Sequence, residues 1–338
     1  MQSFATPPLS PANTDAVVDV FGLTLPDGYA VEKVVERLPG PTQMILGPDD
    51  RLWVAQLNGE ENAGDGQVIA IDLVTGVEEV LIDELLKPTG IALLDGYLWI
   101  ATRREIQRAR LDVDGKPGAV EIVLNDLPFN GRSLGTLTVT PEQALLYETS
   151  GNRLGNAAVA GSAILWQLDP ANPTEPQVLA TGLKNAYAHT FDSEGRLWTT
   201  DIGDDPVNGS SPPDELNFVI PGADFGWPLC FGMQEAATNY GGTKERCQQS
   251  RAPVALFDPR ATPTSVVASP WTEDTLFVAL WLQQSVVQVT VTPVGDNATG
   301  VVEPFLTGLQ NPQHLLVLAH DSLLVSDFAG TIYRVRKQ

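Results

Sequence analysis

The chain is short of cations, cysteine, histidine and long apolar runs. Its 338 residues hold 20 Lys and Arg against 42 Asp and Glu, a formal charge of −22. That field repels phosphate backbones and argues against a nucleic-acid partner. It disfavours an anionic membrane surface for the same reason. No stretch approaches the roughly 20 apolar residues that span a bilayer. The opening MQSFATPPLSPANTDA has no apolar signal core. It reads as a polar linker left after a signal or anchor was removed, with Met1 added. This implies an exported, extracellular or periplasmic protein, and a tail over residues 1–24 ahead of one domain over 25–338. The two cysteines, Cys230 and Cys247, flank a turn-rich polar segment. A bond between them would close a short loop, worth roughly 3 kcal/mol in the chain-entropy account, and would agree with an oxidising compartment. Two unpaired buried thiols are the alternative.

What the chain has is repetition. A turn with Pro or Asn leads into a short apolar strand. A polar turn follows, then a strand centred on a large side chain. The copies begin at LPGPTQMILGPDDRLWVAQ and LKPTGIALLDGYLWIAT, and run on through LPFNGRSLGTLTVTPEQALLYETS and LKNAYAHTFDSEGRLWTTD. ATPTSVVASPWTEDTLFVAL and LQNPQHLLVLAHDSLLVSD complete the set. Their anchors are Trp53, Trp99, Tyr147, Trp198, Phe277 and Leu324, spaced by about 50 residues except across the cysteine segment. Third and fourth strands such as GQVIAIDL and EEVLIDELL fill the intervals. Strand–turn–strand units at this period, with almost no helical periodicity, predict an all-β fold: a six-bladed propeller of four-stranded antiparallel blades. The leftover GYAVEKVVERL becomes the outer strand of the last blade and closes the ring. The Pro/Asn turns then lie nearest the axis, where a site should form.

The fourth copy carries a longer pattern. GLKNAYAHTFDSEGRLWTTDIGDD is followed by PDELNFVIPGADFGWPLC. Through Asn185, Gly195, Leu197, Trp198, Asp201, Gly203, Asp214, Glu215, Leu216, Asn217, Gly222, Gly226, Trp227 and Pro228 this resembles the soluble glucose/sorbosone dehydrogenase family. The resemblance implies an exported propeller that binds pyrroloquinoline quinone (PQQ) through Ca2+ and oxidises a sugar at its anomeric carbon. That chemistry asks for a base with a pKa near working pH, cations for the reduced quinone and a Lewis-acidic ion with oxygen ligands.

Carried over residue by residue, the resemblance places Arg132 where the family has its histidine base. A guanidinium stays protonated and is no base. Lys184 stands at the arginine of the Arg-Asn pair, with Asn185 kept. Arg260 opens the fifth copy's turn, and Asn311 replaces the final arginine. Gly203 and Asp204 are the backbone seat for Ca2+, and Asp201, Asp214 and Glu215 crowd the same loop. His189 and His314, on inner strands, are the candidate replacement bases; each equally fits a packed strand with one hydrogen bond. His320 reads as an exposed turn residue. Arg103 and Arg104 join Arg132 as candidates for a cationic pocket or for salt bridges between blades. Trp281 breaks the tryptophan register and is a candidate for ligand stacking. NGS at Asn208 and NAT at Asn297 match a glycosylation triplet. The expected partners are a small-molecule sugar or anionic ligand and an electron-acceptor protein. Three functions follow: a PQQ-dependent aldose dehydrogenase-like protein with altered or lost catalysis, a non-catalytic propeller that binds a small ligand or protein partner, and a Ca-dependent lactonase. The last is disfavoured because the first inner turn offers no carboxylate.

Overall fold

The structure is a computed structural model that describes residues 16–18, 21–59, 64–203, 206–318 and 322–338. It is a propeller of six antiparallel sheets. Blade one runs outward from the axis through Pro41–Leu46, Leu52–Gln56, Gly66–Ile71 and Glu78–Leu85. Blade two follows with Gly90–Leu94, Tyr97–Ala101, Ile106–Leu111 and Pro117–Leu124. Blades three and four start at Thr138–Val139 and His189–Phe191 and end at Gln177–Thr181 and Ala255–Phe257. Blade five spans Pro263–Ala268 to Asn297–Thr307. Blade six begins at Pro312–Leu318, and its outer strand is Tyr29–Val35, antiparallel to Thr331–Lys337.

The second strands carry the anchors because they are buried on both faces and need bulk on each. Trp53, Trp99, Tyr147, Trp198, Phe277 and Leu324 are all at most 1% exposed. Each sits in a core shared with a neighbouring blade. Leu324 and Ile332 of blade six pack with Met44, Leu52 and Val54 of blade one, which closes the ring with apolar contacts as well as hydrogen bonds. The anchor tryptophans keep their N–H groups satisfied: Trp53 and Trp198 donate to Asp49 (3.1 Å) and Asp192 (2.8 Å), in the turn before the strand. That is why a polar turn with Asp precedes these anchors. A buried indole without a partner would be costly.

Two additions depart from the bare repeat. Ala16–Val18 pairs with Thr24–Pro26, which pairs with Thr307 on the outer edge of blade five. The expected boundary at residue 24 falls inside this ribbon, and residues 1–15 lie outside the described ones. Cys230 and Cys247 form a disulfide. It ties down the long excursion between the third and fourth strands of blade four.

Candidate functional site

The site is built by the inner turns. In blade four the chain turns through Gly182, whose φ of +75° suits glycine. Asp201, at the end of the second strand, accepts hydrogen bonds from two successive turn amides, Lys184 N (2.9 Å) and Asn185 N (2.5 Å). Asp214 joins this blade to the next, accepting from Gly203 N and Thr262 N, both at 2.7 Å. Near the axis the strands leave no spare room: a Cβ on Gly135 would lie 2.0 Å from the carbonyl oxygen of Tyr187. Beneath the turns, Gln43 of blade one bridges to blades two and three. It donates to Leu137 O (2.8 Å) and accepts from Ile91 N and Leu137 N. Gln313 of blade six donates to the Tyr187 hydroxyl (2.9 Å) from the other side.

Above these bridges lies an axial cavity of about 670 Å³, within the usual range for a small-molecule site. All six blades contribute. Thr42 and Leu57 come from blade one, Lys87 and Thr89 from blade two, and Asn130, Arg132 and Ser133 from blade three. Asn185 and Tyr187, Thr262 with Thr264 and Trp281, and Gln313 with Phe328 complete the ring. Trp281 and Phe328 stack obliquely at 4.7 Å. Among the described residues that line the cavity, Lys87 and Arg132 are cationic and none is Asp, Glu or His.

The structure separates the expected site residues. Arg132, Asn185 and Trp281 line the cavity. Lys184 is buried beside it, where its ammonium donates to Gly151 O (3.0 Å) and lies 5.5 Å from the Trp227 ring. There it borders a narrow pocket shared with Asp201, Gly203 and Glu215. Arg260 is exposed and outside the cavity lining. Asn311 donates to Trp281 O (3.4 Å), and its own amide is held by Asp327. Arg103 stacks on Phe129 and Arg104 pairs with Asp126, both away from the lining. Asp204 and His320 lie outside the described residues. The side-chain amides of Asn208 and Asn297 donate to Ala236 O and Ala252 O.

His189 and His314 do not line the cavity. Burial holds both imidazoles neutral, with pKa values lowered to about 3. His314 Nδ1 accepts from Met44 N (3.3 Å), and neither ring nitrogen of His189 has a partner. The buried acids go the other way. Desolvation pushes Glu148 up to about 8, Glu215 to about 8 and Asp214 to about 7. Each still accepts backbone N–H bonds: Glu148 from Gly135, Glu215 from Gly232. Their oxygens brace the loops around the cavity. No group of three or more His, Cys, Asp or Glu side chains suited to a metal occurs among the described residues. Lys87, Thr89, Tyr187 and Gln313 line the cavity without standing out in the sequence pattern, although each lies in an inner-turn segment of the repeat.

Comparison with known proteins agrees with this architecture. Residues 168–303 match the family model Glucose / Sorbosone dehydrogenase. No curated protein sequence matches the chain. An AA12-family carbohydrate-active enzyme of Trichoderma reesei superposes with a TM-score of 0.77 at 16% identity, over 98% of this chain and all of that one. The PQQ domain of pyranose dehydrogenase from Coprinopsis cinerea, in its holo form, gives 0.74 at 16% identity over 96% and 98% of the two chains. The PQQ-bound aldose sugar dehydrogenase of Streptomyces coelicolor gives 0.71 at 19% identity over 92% and 99%. The chain thus shares the propeller fold of these structures, and residues 168–303 carry the family's sequence pattern.

Proposed function

We propose that this is an exported propeller of the sugar dehydrogenase type whose axial cavity binds a small ligand, and whose histidine-dependent sugar oxidation has been lost. One observation carries the reading: the described cavity wall offers cations, hydroxyls, amides and an aromatic corner but no imidazole or carboxylate. Taking a proton from a sugar hydroxyl needs a base within hydrogen-bond reach. The two buried histidines have the wrong place and stay neutral throughout the physiological range.

PQQ supplies hydride acceptance in the relatives that carry it, and it is an anion with several carboxylates. The residues here do not fit that role. Of Arg132, Lys184, Asn185, Arg260 and Asn311, only Arg132 and Asn185 line the cavity. Asp201 and Asp214 use both carboxylate oxygens on backbone amides, which counts against them as Ca2+ ligands. A Ca2+ seat on Gly203 and Asp204 would rest on backbone oxygens. The disulfide and the lack of any described helix long and apolar enough to span a membrane are consistent with export.

The test is to add PQQ and Ca2+ to the protein and follow dye reduction with a panel of aldoses. No turnover is expected with any of them. Reduction at a rate that rises with aldose concentration would overturn the reading and favour an active quinoprotein.

A further inference from the structure

Blade three breaks the repeat at one buried position. The residue after each anchor is Val54, Ile100, Thr199, Val278 or Val325 in the other blades, and all are fully buried. In blade three it is Glu148, 1% exposed. A carboxyl in such a place costs free energy that valine does not. Bracing the chain does not require one. Blade four fills the position with Thr199, whose hydroxyl donates to Ala188 O (3.0 Å). Glu148 Oε1 accepts from Gly135 N (3.1 Å) and Ser150 Oγ (3.3 Å), and its Oε2 has no partner.

Three cavity residues hang on the groups that Glu148 touches or acts upon. Ser133, a wall residue with a buried, unpartnered hydroxyl, stands two residues before Gly135. Asn130 donates to Gly151 O (2.7 Å), next to Ser150, and the Lys184 ammonium shares that carbonyl (3.0 Å). Asn185 is fixed by Asp201, which accepts its amide. Lys184 and Asp201 are also the charged groups that act on Glu148, the first attracting its carboxylate and the second repelling it. The strands that flank Glu148's own, Thr138–Val139 and Ile164–Leu168, carry no charged residue. Arg132, in the same inner turn, acts on Asp214 instead. Blades three and four touch tightly at Gly135 and Tyr187, and Thr136 N donates to Tyr187 O (2.8 Å). A shift at Gly135 is therefore carried to the blade-four side of the wall.

Charging Glu148 acts on both sides of this half of the cavity. The carboxylate accepts more strongly from Gly135 N and Ser150 Oγ. It draws the Lys184 ammonium, which shares Gly151 O with Asn130, and it pushes on Asp201, which holds Asn185. We propose that Glu148 is a protonation switch for the axial cavity: the neutral acid keeps the wall of Asn130, Ser133 and Asn185 as described, and the carboxylate rearranges it. Desolvation pushes Glu148 up to about 8, so both forms occur close to neutral pH. A ligand held by these three residues binds one form better, and by linkage its binding moves the proton. The switch rests on the reading of the axial cavity as the ligand site, and not on the loss of sugar oxidation.

The experiment is a ligand-free NMR pH titration of the intact, isotope-labelled chain. The backbone amides of Ser133, Gly135 and Asn185 and the side-chain amide of Asn130 are expected to shift together, with one midpoint near 8. Glu148→Gln should abolish that transition at all four groups. Lys184→Met removes the attracting charge and should move the midpoint up. A transition that persists in Glu148→Gln would belong to Asp214 or Glu215, which burial raises into the same range, and would overturn the switch. So would a transition confined to Gly135, which leaves Glu148 a brace alone, or no transition in the parent chain. If Glu148→Gln does not fold, the midpoint in Lys184→Met decides: upward supports the switch, and unmoved or lowered overturns it. Aldose turnover with PQQ and Ca2+ would instead overturn the loss of oxidation and leave these resonances as they are, so the two failures are distinguishable.

Discussion

Blades four and six turn toward the axis in the same way. Blade four uses Gly182-Leu183-Lys184-Asn185 and blade six uses Gly308-Leu309-Gln310-Asn311, both starting at positive φ. In each, the acid that ends the second strand accepts two successive turn amides. Asp327 takes Gln310 N (2.7 Å) and Asn311 N (3.0 Å), as Asp201 takes Lys184 N and Asn185 N. The turns then part company. Asn185 faces the cavity with an unpartnered oxygen, whereas Asn311 is spent on Trp281 O. Blade four also carries the disulfide excursion and the neighbouring buried acids. A shared device holds both turns, and only one of them is loaded with chemistry. A family pattern that includes Asp201 is therefore in large part a pattern for holding a turn.

The comparison breaks first at the two aspartates. Asp201→Ala strands two backbone amides and Asp327→Ala strands three, Ala329 N being the third, at roughly 1–3 kcal/mol per buried unsatisfied group. A loss of about 4 kcal/mol is expected from either, measured by urea unfolding. Only Asp201→Ala should also weaken ligand binding, because only its turn places Asn185 in the cavity wall. Equal loss of binding in both variants would show that the two turns serve the site alike.

Glu148 sharpens the contrast, since it lies buried close enough to Lys184 and Asp201 to feel both charges. Its folded pKa of about 8 lies above the unfolded value, so the native state keeps the proton longer. The stabilisation is complete below the unfolded value and is lost as pH rises through about 8. Glu148→Gln mimics the protonated side chain. It should melt like the parent near pH 5 and be more stable by on the order of 3 kcal/mol near pH 9. A constant difference at both pH values would refute the buried-charge account.

The disulfide excursion is the next difference between the blades. Tyr240 in this loop donates to Pro206 O (2.7 Å), and Asn208 donates to Ala236 O (2.9 Å), so the loop braces the segment after Gly203. Replacing Cys230 and Cys247 by alanine should cost about 2–3 kcal/mol. Hydrogen exchange should speed up in residues 206–213 and remain unchanged in the blade-six turn. Unaltered exchange in 206–213 would show that the brace does not depend on the bond.

The fold was legible because a propeller repeats its demands. The large residue at the centre of each second strand is forced by burial on both faces, and the polar turn before it often by an indole N–H. The disulfide was legible from lean cysteine use. The Ala16–Val18 ribbon was not, because a polar Pro-rich segment pairs through its backbone and leaves little pattern. For the site, the repeat told which turns meet at the axis but not which way a side chain points. Arg260 occupies a cationic position of the family pattern and is exposed. Lys87 stands in an inner turn, and its signal is a cation there in a chain with few. Lys184 kept the family's charge, yet Gly151 O holds it beside the cavity.

The smallest effect separates the two histidines. Both are buried on first strands, and both stay neutral to about pH 3. Their folded pKa values lie below the unfolded value of about 6.5. The unfolded chain binds more protons between those limits, so each histidine lowers stability as pH falls from about 6.5 toward 3. Methionine at either position should flatten that acid slope by the same amount. At neutral pH the two should differ. His314→Met orphans Met44 N and is expected to cost about 1 kcal/mol. His189→Met removes an imidazole with two unpartnered nitrogens and should be neutral or slightly stabilising. Neither should change ligand affinity, since neither lines the cavity. If His189→Met abolished binding, the imidazole would have to reach the ligand, and a neutral ring nitrogen would join the described cavity wall.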